Sequence, residues 1–282
     1  MPHLHPLIIS APFGNYVQPR DCTPTLGTFT NERRPGRLWR IIRTVRYSPS
    51  LGAWVNKIGL RNPGIDWLAA KVKAGKIDVS NKLVSVHGFN DSEWDRLITV
   101  TAGLSPLGIE LNMSCPNVGH VNWPAWLFER TLERCAATGS IVVVKIPPVN
   151  YQEMVRQALG AGVRVLHCCN TIPVPAGGVS GKPLKPVAIQ CIREVRQIAA
   201  TSGVKDLRII GGGGITVASD IDDYAAAGAD CFAIGTKCFN PGVLFGDGVL
   251  RPLIERAVGQ SIRTPSASSG TGSKAHSHDV PA

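Results

Sequence analysis

The chain has 282 residues, 44% hydrophobic and 18% charged, enough apolar material for one large α/β domain and too much for disorder over most of its length. The formal net charge of +10 is uneven: Arg33, Arg34, Arg37, Arg40, Arg43, Arg46, Lys57 and Arg61 fall in one stretch where Glu32 is almost the only nearby acid. No run approaches about 20 apolar residues, and Met1 to Ser10 lacks a basic leader, so neither a membrane partner nor a secretion signal is expected and the compartment expected is cytoplasmic.

In chain order, short apolar runs predict strands at Leu7–Ser10, Thr25–Thr30, Leu83–His87, Leu107–Asn112, Ile141–Ile146, Arg164–Cys169, Leu207–Gly211 and Cys231–Gly235. Their apolarity is continuous rather than alternating, as in strands covered on both faces. Helical stripes follow most of them: Phe128, Leu132, Cys135 and Ala136 mark one, and Ala188, Cys191, Ile192, Val195 and Ala199 another. A third helical pattern, around Ile221–Ala227, stops at Gly228. Between Gly14 and Thr25 there is little room for a helix, and Pro19 and Pro24 work against one.

Strands alternating with helices at this length predict a (β/α)₈ TIM barrel with a truncated first helix. Alternation alone leaves a doubly wound open sheet as the alternative. Residues 1–263 are read as the barrel domain, and the Ser/Gly/Thr-rich residues 264–282 as a disordered tail.

In such a barrel the chemistry belongs at the C-terminal ends of the strands. Those positions carry Asn56, Lys57, Ile58, Gly59 and Leu60; Asn112 to Asn117; Lys145, Ile146 and Pro147; Asn170 and Thr171; Gly211 to Gly214; and Gly235 and Thr236. Asparagine is disfavoured in strands, and its amide both donates and accepts. Asn56, Asn112, Asn117 and Asn170 on one rim suit a ligand with alternating N–H and C=O edges, such as a pyrimidine, whereas each taken alone reads as a local turn. The glycines after the seventh strand, followed by a helical pattern, let backbone N–H groups approach a phosphate, and Gly235-Thr236 completes such a site. Lys145 closes an apolar strand and needs a negative partner.

Of the eight cysteines, none forms a CxxC pair or a zinc framework, so no metal is expected and most read as reduced, buried, small apolar residues. Cys115 differs. It sits between Ser114 and Pro116, just past a strand end, where a tuned thiol serves as a proton acceptor. The basic stretch, with Trp39, Tyr47 and Trp54 interleaved, suits an anionic partner or a solvated rim around an anion site. It carries no nucleic-acid-binding fold signature, so nucleic acid is not expected.

Four pieces, in order and spacing, resemble the dihydroorotate dehydrogenase family in its cysteine-base, soluble class: Asn112-Met113-Ser114-Cys115-Pro116-Asn117, Lys145-Ile146-Pro147-Pro148, the run from Gly177 to Pro186, and the run from Ile209 to Ile215. The resemblance spans Ser10 to Thr236. It implies FMN at the barrel mouth, held by Ser10, Ala11, Gly178, Gly181, Gly213, Gly214, Gly235 and Thr236, with Lys145 at the flavin's pyrimidine edge. It implies a pyrimidine substrate bound by Asn56, Ile58, Gly59, Leu60, Asn112, Asn117, Asn170 and Thr171. Cys115 would take the C5 proton of dihydroorotate while a hydride passes from C6 to flavin N5, giving orotate. A homodimer is implied, with room for an electron-transfer subunit.

The chain also departs from the family pattern. Anchored on Glu32-Arg33-Arg34-Pro35-Gly36, the family's second-strand lysine falls at Gly27, which leaves Lys57 as the candidate replacement charge. The segment after Asn117, with His120, Asn122 and Trp123, differs from the expected lid. These departures keep two alternatives open: another (dihydro)pyrimidine as substrate, or a non-catalytic barrel that binds FMN or an anion.

Overall fold

The computed structural model describes residues 3–113 and 123–263. In chain order the strands are β1 (Leu7–Ile9), β2 (Cys22–Phe29), β3 (Arg46–Ser48), β4 (Ala53–Asn56), β5 (Leu83–Val86), β6 (Gly108–Asn112), β7 (Ile141–Lys145), β8 (Val165–Cys168), β9 (Ile172–Val174), β10 (Gly177–Ser180), β11 (Arg208–Gly212) and β12 (Cys231–Ile234). The helices are α1 (Arg37–Thr44), α2 (Ile65–Lys73), α3 (Asp91–Gly103), α4 (Leu127–Ala136), α5 (Gln152–Gly160), α6 (Leu184–Thr201), α7 (Ala218–Ala227) and α8 (Arg251–Arg263). Eight of the strands close a parallel barrel in the order β1-β12-β11-β8-β7-β6-β5-β2. These are the strands expected from the apolar runs, so the barrel and not the open sheet is the fold. Between β1 and β2 only a three-residue 3₁₀ turn, Phe13–Asn15, replaces the first barrel helix.

Alternation along each strand sorts the side chains into two environments. Ile109, Leu111, Val142, Val144, Ile209 and Phe232 point outward into the layer between barrel and helices. Inside, Leu4, Ile8, Leu83, Leu107, Val143, Ile210, Cys231 and Ala233 form an apolar plug near the strand starts. Two residues further along, the inward positions turn polar: Ser85, Glu110, Asn112, Lys145 and His167 are all buried. The barrel therefore has an apolar floor and a polar upper layer that faces the strand C-termini.

The helical stripes pack as their spacing predicts. On α6, Ala188, Cys191, Ile192, Val195 and Ala199 are buried, and Gly228 ends α7 in the left-handed region at φ 106°. On α4 the face is rotated slightly: Phe128, Thr131 and Cys135 are buried, whereas Ala136 is exposed. All seven cysteines among the described residues are unbridged and buried.

A second sheet, antiparallel in the order β3-β4-β10-β9, was not expected. Its strands have three or four residues each, and Gly178 on β10 pairs with Asn56 on β4 across a large sequence separation. Such short, non-local pairings leave no periodicity to read. Helix α1, within the basic stretch, was not expected either. None of its residues is buried, and Leu38, Trp39 and Ile42 are exposed.

Candidate active site

One cavity opens at the C-terminal end of the barrel, walled on one side by the second sheet and α1. Of the expected cofactor residues, Ser10, Ala11, Lys145, Gly181, Gly213, Gly214, Gly235 and Thr236 line it. So do the expected substrate residues Asn56, Ile58, Gly59, Leu60, Asn112, Asn170 and Thr171. Gly178 lies outside this lining, on β10, where its carbonyl accepts a hydrogen bond from Asn56 Nδ2 (3.4 Å). Cys115 and Asn117 lie outside the described residues, as do His120 and Asn122.

Asn56, Asn112 and Asn170 each bond to a segment distant in sequence, and Asn170 makes one local bond besides. Asn112 Nδ2 donates to Thr28 Oγ1 (2.9 Å), and Thr28 shares a hydrogen bond with Ser85 (3.0 Å). Asn170 Nδ2 donates to Asn112 Oδ1 (3.2 Å), while Asn170 Oδ1 accepts from the Thr171 N–H (2.9 Å). β6, β8 and β2 thus hold the amides in fixed orientations, which is what recognition of a flat polar ring requires.

Lys145 is only 6% exposed and stands in register between Asn112 on β6 and His167 on β8. Its neighbours in the polar layer are Glu110 and His167, both 1% exposed, with His167 Nδ1 2.8 Å from Glu110 Oε2. Burial alone would raise the Glu110 carboxyl. The Lys145 ammonium, then the contacts with His167, outweigh it and bring it down to about 2. His167 is held below its ordinary value, first by burial and then by Lys145, with Glu110 pulling the other way. Neither Glu110 nor His167 is among the site residues expected from the sequence. The available signal was an acid and an imidazole in the middle of strands with apolar neighbours, Ile109 and Leu111 in one case, Leu166 and Cys168 in the other.

The remaining walls are aromatic and cationic. Trp54 and Phe239 lie with ring centroids 5.0 Å apart, and Phe13 meets Phe239 edge-on at 5.0 Å. Arg37 and Arg61 also line the cavity, Arg37 Nε donating to the Arg61 carbonyl (2.6 Å) and its Nη1 to the Tyr16 hydroxyl (2.9 Å). Lys57, the expected replacement charge, is exposed and absent from the lining. The positive charges on this wall are instead the two arginines.

The sequence profile described as dihydroorotate dehydrogenase matches residues 22–256. The chain belongs to the dihydroorotate dehydrogenase family. Its relatives include dihydroorotate dehydrogenase A (fumarate) of Limosilactobacillus reuteri, 31% identical over 69% of this chain and 70% of that protein. Another is the catalytic subunit of dihydroorotate dehydrogenase B (NAD(+)) of Oceanobacillus iheyensis, 33% identical over 70% of this chain and 71% of the relative. A ligand-free DHODH from Eimeria tenella shares the fold, with TM-score 0.67 and 15% identity over 84% of this chain and 77% of that one. Dihydroorotate dehydrogenases are oxidoreductases that act on CH–CH donors.

Gly27, where the sequence pattern leads one to expect a family lysine, has a backbone that admits no side chain. Its φ is +108°, and a Cβ there would stand 2.5 Å from the Ser85 carbonyl oxygen. Asn15 clamps it, accepting from the Gly27 N–H (3.2 Å) and donating to its carbonyl (3.0 Å).

FMN, the group that the family implies, would meet bare backbone at one end of the cavity. A Cβ on Gly213 would stand 2.6 Å from Leu184 Cγ, and one on Gly214 2.8 Å from the Gly181 carbonyl oxygen. Only bare backbone fits there, as a phosphate cradle requires. The amides at the start of α7 are not part of that cradle. Thr216 and Val217 donate to Asp220 Oδ2 (2.7 and 2.9 Å), and Lys185 pairs with Asp220 from behind (2.5 Å). The residues present fit FMN: Gly213 and Gly214 would hold its phosphate, whereas the amides at the α7 terminus are already taken by Asp220.

Proposed function

We propose that this chain oxidises dihydroorotate to orotate, with FMN as its redox group and Cys115 as the base. The observation that carries the reading is the convergence of Asn56, Asn112, Asn170 and Lys145 on one cavity that ends in the Gly213–Gly214 cradle. Bound FMN supplies the hydride acceptor at its N5.

The chain's own residues then have separable tasks. Gly213, Gly214, Gly181, Gly235 and Thr236 hold the phosphate end, with Ser10 and Ala11 beside them. Lys145, in the polar layer whose other charged member is Glu110, would present its ammonium to the pyrimidine edge of the bound ring and would offset negative charge gained there. The asparagines orient the substrate by both amide edges, with Thr171 beside them and Ile58, Gly59 and Leu60 closing over it. Arg37 and Arg61 meet the substrate carboxylate in place of the missing lysine. Cys115 Sγ takes the C5 proton as the hydride leaves C6. Proton and hydride depart from adjacent carbons, so the base would have to stand on one side of the substrate ring and the hydride acceptor on the other.

The same reading makes the protein a cytoplasmic homodimer. Both a fumarate-type and an NAD-type relative match, so the electron acceptor is assigned to neither class.

The test is anaerobic addition of dihydroorotate, and separately dihydrouracil, to FMN-loaded protein. Bleaching of the flavin band by dihydroorotate supports the reading. Bleaching by dihydrouracil alone would transfer the chemistry to a neutral pyrimidine, the outcome that Gly27 favours if Arg37 and Arg61 do not replace the lysine. A chain that binds no FMN would refute both.

A further inference from the structure

The Glu110–His167 pair is left over once the substrate and cofactor contacts are assigned. Both side chains are 1% exposed, yet His167 lines the cavity. Its Nδ1 faces Glu110 Oε2 at 2.8 Å, and its other nitrogen makes no hydrogen bond among the described residues. Nε2 abuts bare backbone: a Cβ on Gly212 would stand 3.0 Å from it. A carboxylate on Nδ1 fixes the proton there, so Nε2 carries a lone pair at the edge of the cavity.

The charges around His167 are few. Glu110 reaches it from β6 and Lys145 from β7, where Lys145 is its register partner, and β11 offers only Ile210 and Gly212. With the imidazole neutral, one ammonium balances one carboxylate. Burial and Lys145 keep it neutral despite Glu110. Added negative charge in the cavity shifts that balance toward the imidazolium.

We propose that His167 is a positioning residue that takes up a proton when the ring bound in this cavity accepts a hydride, so that the added negative charge meets a second cation beside Lys145. This rests on the FMN reading above. The balance is simple. The hydride brings two electrons and the C6 hydrogen to the ring, which gains one negative charge. The base takes the C5 proton. A further proton, from solvent, binds His167 Nε2, and no electron passes to the imidazole. Glu110 holds the ring orientation and offsets the imidazolium once it forms.

The test is the midpoint potential of the FMN-loaded full chain, read between about pH 7 and 8. For a two-electron couple each proton taken up lowers the potential by about 30 mV per pH unit. The wild type is expected to fall by about 60 mV per unit, and His167→Asn, whose amide still reaches Glu110, by about 30 mV. Glu110→Gln is expected to flatten the slope as well, because the imidazolium loses its counter-charge. Equal slopes in wild type and His167→Asn overturn the proposal, since a merely structural histidine leaves proton uptake unchanged. Should His167→Asn lose the flavin, a wild-type slope of about 30 mV per unit overturns it instead. A wild type that binds no FMN defeats the FMN reading itself, a distinguishable result.

Discussion

His167 and Glu110 form a buried pair across the inside of the barrel, Nδ1 to Oε2 at 2.8 Å, and Lys145 stands in register beside His167. The three side chains occupy the layer where the apolar plug ends and the cavity begins. They tie the stability of the barrel to the charge state of its site.

That tie gives a pH dependence of definite sign. The unfolded Glu110 carboxyl titrates near the ordinary glutamate value of 4.5 and the folded one at about 2, so between these values the unfolded chain binds more protons. The stabilisation is complete above about pH 4.5 and is lost as pH falls through 2. His167 acts in the same direction: its folded value lies below 6.5, so the unfolded chain protonates first on acidification. Glu110→Gln takes the carboxylate from His167 Nδ1 in a buried layer and is expected to cost about 1–3 kcal/mol at pH 7. Urea unfolding at pH 7 and pH 4 checks this; the deficit should be smaller at the lower pH.

Gly27 should resist restoration of the family lysine. Gly27→Lys places a Cβ 2.5 Å from the Ser85 carbonyl at a φ of +108°. The expected result is a loss of about 2–4 kcal/mol in urea unfolding and no gain in turnover. Gly27→Ala should lose nearly as much, because the clash is at Cβ.

The barrel was legible in the sequence because buried parallel strands are short, apolar and evenly spaced, and each left its own run, from Leu7–Ile9 to Cys231–Ile234. The cavity residues were legible because they sit at strand ends, where asparagine, lysine and glycine stand out against apolar neighbours. Three features escaped. The β3-β4-β10-β9 sheet joins segments far apart in the chain through three- and four-residue strands. Glu110 and His167 are lone polar residues whose meaning depends on which strands become neighbours, a property of barrel closure rather than of local pattern. The cavity-lining positions of Arg37 and Arg61 likewise depend on how the chain folds back through α1, whereas Lys57, the charge expected near the strand end, lies outside the lining.

Arg61 is therefore expected to serve the substrate and not the chemistry. Arg61→Gln should raise KM for dihydroorotate about tenfold, the equivalent of about 1.4 kcal/mol, with kcat changed much less. Steady-state kinetics separate the two. A lowered kcat at unchanged KM would place Arg61 elsewhere in the reaction.

Cys115→Ser should keep the yellow colour of bound flavin and slow its reduction by orders of magnitude, because a serine hydroxyl is a far weaker base. The wild-type rate should climb with pH until the thiol is ionised and then level off. Stopped-flow reduction over a pH series reads both effects. An unchanged rate in the variant would remove Cys115 from the role of base.

The central claim is that this barrel joins a dihydroorotate site to a flavin. Its most direct test is the visible spectrum of FMN-loaded protein under anaerobic conditions, before and after stoichiometric dihydroorotate. The expected result is loss of the flavin band within minutes and one orotate formed per flavin bleached. A flavin band that dihydroorotate leaves intact, or a protein that takes up no FMN, would contradict it.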